Sequence, residues 1–115
     1  IHRLAANSEI PKVVFTAPIY FIAKTYDEIS IVLPSHYSLT TDDVETDWQA
    51  LEVLGPLDFS LTGILSDIAS VLASQKISIF AISTFDTDYI LVKRNTVEAA
   101  VGVLRLNHYQ VITEQ

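Results

Sequence analysis

The sequence predicts an α+β chain: a ferredoxin-like βαββαβ unit preceded by an abbreviated, helix-poor unit of strands. Three observations carry that expectation. Leu61, Ile64, Leu65, Ile68, Val71 and Leu72 recur at helical spacing, with Thr62, Ser66, Asp67, Ser70 and Ser74 mostly off the stripe. Runs of β-branched and aromatic residues at 77–83 and 89–93 have strand length and are joined by the polar TFDTD. Before them, TTDDVETD at 40–47 holds four acids within six residues and a single aliphatic, which marks a boundary.

The elements follow in order. Residues 2–5 read as a strand, and two prolines in 8–18 limit any helix there to a turn or two. Residues 19–24 and 28–33 flank TYDE as a hairpin, with Asp27 favouring the turn. The expected division is a first unit at 1–40, an acidic linker at 41–47 and the βαββαβ unit at 48–115. In that second unit, 48–54 is a strand with Leu51 and Val53 on one face and Glu52 and Leu54 on the other. The helical stripe follows, with Ser60 as its expected N-cap. After the second hairpin, Asn95 and Glu98 fit a capping box ahead of Val97, Ala100, Val101 and Leu104, a second amphipathic helix. Residues 109–112 close the unit as a short strand.

Composition excludes several functions. Half of the 115 residues are hydrophobic and 18% are charged, which supplies a core. The formal charge of -7 repels phosphate backbones and anionic lipid, so nucleic acid is not an expected partner. The densest apolar runs, 19–23 and 29–33, are far below the roughly 18 residues that span a bilayer, so no membrane is expected either. No cysteine is present, which removes disulfides, thiolate metal sites and cysteine nucleophiles. His2, His36 and His108 lie far apart, and no nucleophile-elbow or phosphate-loop pattern occurs. The expectation is a protein without catalytic activity, cofactor or metal. The chain begins at Ile1 rather than Met, so its start says nothing about a targeting segment.

Two turns carry the chemistry. In GPLDFSLTGIL, at 55–65, Asp58, Ser60, Leu61, Thr62, Gly63 and Ile64 lead from strand to helix. With Ser60 capping, the first-turn amides point at whatever precedes the helix, and Gly63 lets a ligand or a backbone come close. A carboxylate suits such a terminus; the alternative is a cap whose amides face water. In the hairpin, Thr84, Phe85, Asp86, Thr87 and Asp88 offer two carboxylates two residues apart and two hydroxyls, acceptors for an ammonium or guanidinium group. The alternative there is a turn with a solvated strand end. A divalent cation is not expected, since no third carboxylate stands nearby.

An Asp followed by Gly and two aliphatics at a strand-to-helix turn, then a helix and a strand such as ISIFAIST, resembles the ACT domain superfamily. Asp58, Gly63, Ile64 and Leu65 match that pattern, although Thr62 stands where these domains often have proline. GPLDFSLTGIL and STFDTDYILV together resemble one branch, short proteins with tandem ACT-like units related to the ACT domains of a cytosolic arginine sensor. TYDEISIVLP, at 25–34, resembles that branch's abbreviated first half, so the likeness spans the chain. It implies a cytoplasmic regulatory module that binds a small molecule, an amino acid, and acts on a separate protein; the two turns are the expected place for that ligand on their own chemistry, and the resemblance assigns no residue to it. Uncovered strands in the first unit and open sheet edges, together with the pairing habit of such domains, point to a homodimer. The competing expectation is an interaction or assembly unit that binds no small molecule.

Overall fold

The computed structural model describes residues 1–52 and 63–111, and the chain divides into two compact units, Ile1–Thr46 and Asp47–Gln115. In the first, strands β1 (His2–Ala5), β2 (Phe21–Lys24), β3 (Glu28–Val32) and β4 (Asp43–Val44) form an antiparallel sheet in the order β2-β3-β1-β4. Alternation in EISIV sends Ile29 and Ile31 to one face, where they bury with Leu4 and Val14. Val14 comes from a single 3-10 segment, Lys12–Thr16, held between the two prolines. Ile10, Ile22, Leu33 and Leu39 complete that small core.

The acidic stretch is more than a linker. Asp43 pairs with Arg3 in the β1–β4 ladder, and the Arg3 guanidinium lies 3.4 Å from the Asp43 carboxylate. Asp42 accepts from the Ala5 amide at 3.2 Å, and His2 Nδ1 meets Thr41 Oγ1 at 2.9 Å. The acids therefore serve the edge of the first sheet, in contacts too exposed to add more than about 1 kcal/mol each.

In the second unit, β5 (Trp48–Glu52), β6 (Ile79–Ser83) and β7 (Asp88–Lys93) are antiparallel in the order β5-β7-β6. Helices α1 (Ile64–Ser74) and α2 (Val97–Leu106) supply Ile68, Leu72, Ala100 and Leu104 to one core with Ile77, Ile90 and Val92. Burying each of these larger aliphatic side chains is worth about 1.5–3 kcal/mol. The order is that of the expected ferredoxin-like unit, with one difference. Tyr109 to Val111 form no strand; Tyr109 packs against the helical core, and Ile112 lies outside the described residues. The capping box is also absent. Residues Arg94–Thr96 form a 3-10 turn, Thr96 takes the cap position, and its hydroxyl donates to the Lys93 carbonyl at 2.8 Å.

Both hairpins are built on one device. The Thr25 amide donates to Glu28 O at 2.9 Å, and the Thr84 amide to Thr87 O at 2.8 Å. Each threonine hydroxyl then accepts from the turn, Thr25 from the amides of Asp27 and Glu28, Thr84 from that of Thr87. Threonine, not Asp27, closes the first turn, as expected of a hydroxyl that mimics a backbone acceptor. Each tip leaves an aromatic ring in solvent, Tyr26 and Phe85.

Both helices end the same way. The amides of Lys76 and Ile77 donate to Ala73 and Leu72, and those of His108 and Tyr109 to Arg105 and Leu104. This double bond pattern needs a left-handed residue, here Lys76 (φ 59) and His108 (φ 71), where glycine is usual. His108→Gly should therefore raise stability by about 0.5–1 kcal/mol, read from urea unfolding, whereas His108→Val should lower it.

Candidate functional site

Of the first candidate turn, Asp58, Ser60, Leu61 and Thr62 lie outside the described residues. Gly63 and Ile64 are described, and they change the reading of the cap. Gly63 itself takes the cap position of α1, with φ 85 and no side-chain hydrogen bond. Its backbone lies in the left-handed region that side chains disfavour, while a Cβ there would meet nothing within 4 Å. Backbone conformation, rather than crowding, is what calls for glycine. The first bond of the described helix runs from the Asp67 amide to Gly63 O at 2.8 Å, so the N–H groups of residues 64–66 point along the axis toward the N-terminal end of α1. Ile64 gives its side chain to the core.

At the second turn, the Thr84 hydroxyl is engaged locally, accepting from the Thr87 amide at 3.1 Å and donating to the Thr87 carbonyl at 3.0 Å. Phe85 is 97% exposed and Asp86 is exposed, while Thr87 and Asp88 are half-buried. Asp88 opens β7 opposite Ser83.

Sheet register places the hairpin. Glu52 ends β5 opposite Tyr89, at the same end of the sheet as the hairpin. Side chains alternate along β7, and Asp88 shares the face of Ile90 and Val92, the face that α1 covers. Asp88 is thus the hairpin acid on the helix side of that sheet end, whereas Asp86 projects from the tip.

The structure adds a pair that periodicity did not reveal. The Tyr109 hydroxyl donates to Asp67 Oδ2, tying the segment after α2 to the first turn of α1. Burial first, then the hydrogen bond and the charge of Asp67, push the Tyr109 pKa up to about 12. Among the described residues no group of three or more His, Asp or Glu gathers to hold a metal ion, and no helix is long and apolar enough to cross a membrane.

This strand-helix framework is a known one. A family model for the ACT domain matches residues 43–105, and the chain belongs to the ACT domain family. It is 33% identical over 101 residues to the mouse protein named cytosolic arginine sensor for mTORC1 subunit 1, covering 86% of this chain and 30% of that one. Against the human protein of the same name the identity is 37% over 73 residues, 63% of this chain and 22% of that one. The chain therefore spans less than a third of the length of these curated relatives. The crystal structure of protein Atu0741 from Agobacterium tumefaciens is similar throughout, with a TM-score of 0.87 and 32% identity over 98% of this chain and 84% of that one.

The Tyr109 contact has a pH signature. A raised pKa means that the folded state holds the proton more tightly, so its contribution is intact below the ordinary value of 10 and is lost as pH rises through about 12. Unfolding measured from pH 9 to 12 should show an alkaline loss of stability that is smaller in Tyr109→Phe.

Proposed function

We propose that the chain is a non-catalytic regulatory module of the cytoplasm that binds an amino acid with a cationic side chain, arginine first among the candidates, and acts as a homodimer on a separate protein. The ligand carboxylate meets the amides at the start of α1, around residues 60–64, and its cationic group meets the hairpin at residues 84–88. The observation that supports this reading is the register that puts Asp88 on the helix-covered face, at the end of the sheet where β5 ends. Asp88, half-buried beside the helices, is the acid suited to a charged hydrogen bond; a tip acid in open water contributes less. The name of the relatives, an arginine sensor, supports the choice of ligand class. A second reading, an assembly unit that takes no small molecule, is favoured by the exposed Phe85 at the tip.

Calorimetric titration separates the two. L-Arginine should bind, citrulline and agmatine should bind more weakly because citrulline lacks the guanidinium and agmatine the carboxylate, and no heat with any amino acid would leave the assembly reading. Asp88→Asn should cost about 1.5–3 kcal/mol of arginine affinity, and Asp86→Asn less than about 1 kcal/mol. Equal effects of the two changes would move the cation to the tip.

A further inference from the structure

Asp67 is the acid in the first turn of α1, and its Oδ2 accepts a hydrogen bond from the Tyr109 hydroxyl. The turn after α2 brings Tyr109 there. His108 takes a left-handed backbone (φ 71), its amide donates to Arg105 O at 3.1 Å and that of Tyr109 to Leu104 O at 3.0 Å. The Arg105 guanidinium donates to Val111 O at 2.8 Å, and Tyr109 and Val111 pack against the helical core. The segment is seated by its own contacts, and the hydroxyl is delivered to Asp67 as a consequence.

Position on the helix puts a second partner within reach of Asp67. Helix side chains lean toward the N-terminus, so the Asp67 carboxylate stands beside the turn before it. The amide three residues back, that of Ile64, has no acceptor within the helix, and three residues is the span that the acid of a capping box bridges. Gly63, in the cap position, has no side chain to satisfy that amide. The helix dipole draws a carboxylate to the same end. The Tyr109 hydroxyl engages Asp67 in a different bond. Its proton is firmly held, since burial first, then the bond to Asp67 and the charge of Asp67, raise its pKa to about 12.

We infer that Asp67 is a built-in competitor for the ligand carboxylate and that Tyr109 is the positioning residue that restrains it, so the seating of the 107–111 segment sets the affinity of the site. The inference rests on the amino-acid reading above, with the ligand carboxylate at the start of α1. Released from Tyr109, Asp67 turns to the Ile64 amide, where it takes a donor from the ligand carboxylate and repels its charge. Held by Tyr109, it leaves that amide open. The control is inhibitory and lies within the chain.

Calorimetric titration of the full chain with L-arginine, agmatine and citrulline tests this, because agmatine lacks the carboxylate and citrulline the guanidinium. Tyr109→Phe should lower the arginine-to-agmatine affinity ratio about twofold to fivefold and leave the arginine-to-citrulline ratio unchanged. Asp67→Asn keeps an acceptor for Tyr109 but removes the charge, and should raise the arginine-to-agmatine ratio by a similar factor. In the Asp67→Asn background, Tyr109→Phe should have no further effect, whereas a merely structural role would carry its loss over. Ratios unmoved by both single changes, or a Tyr109→Phe loss that persists beside Asp67→Asn, would overturn the competitor role and leave the amino-acid reading standing. No heat from arginine with the unaltered chain would overturn both.

Discussion

Strand β7 is bonded on both edges and buried on both faces, and the second unit is arranged around that constraint. Ile90, Leu91 and Val92 are consecutive and almost wholly removed from water, at 1%, 5% and 0% exposure. Consecutive residues point to opposite sides of a sheet, so neither side of this strand is left to solvent. Ile90 and Val92 hold the helices through Ile68, Leu72, Ala100 and Leu104. A one-residue slip of either neighbour would turn its apolar side chains to the wrong face, so β7 sets the registers of β5 and β6. Those registers bring the end of β5 at Glu52 and the 84–88 hairpin to one end of the sheet.

Much of this was legible in the sequence because periodicity reports burial. The stripe through Ile68 and Leu72 and the alternation of Ile29 with Ile31 mark core faces directly, and the paired runs around TYDE and TFDTD mark hairpins. Caps were harder, because several residues compete for each helix end. Asn95 and Glu98 have the spacing of a capping box, but the chain passes through Arg94–Thr96 as a 3-10 turn that gives the cap to Thr96. The acidic stretch looked like solvent-facing connection because it has a single aliphatic, yet its value lies in polar contacts with a strand some 40 residues earlier.

For the candidate site, composition located the hairpin and its two acids but not their difference. That difference comes from register: two residues before Ile90, Asp88 inherits the helix-covered face, a relation that alternation makes readable once β7 is recognised as central. The contact of Asp67 with Tyr109 joins residues 42 apart in sequence, and no local pattern predicts it. Tyr109 in particular reads as the start of a strand, and instead its ring packs beside the helices and its hydroxyl serves the start of α1.

Trp48 is the chain's single tryptophan, and its position makes the protein's intrinsic fluorescence a local signal. The indole lies under the Lys93 ammonium at 4.7 Å and edge-on to Phe80 at 6.4 Å between centroids. Its ring nitrogen is buried without a hydrogen-bond partner among the described residues, which keeps the emitting ring in a mainly apolar setting. Trp48 pairs with Lys93, whereas the 84–88 hairpin lies at the opposite end of the same ladder, beyond Glu52 and Tyr89. A change in emission on adding a small molecule would thus report a rearrangement carried along the strands, and an unchanged spectrum alongside measurable heat would report occupancy confined to one end.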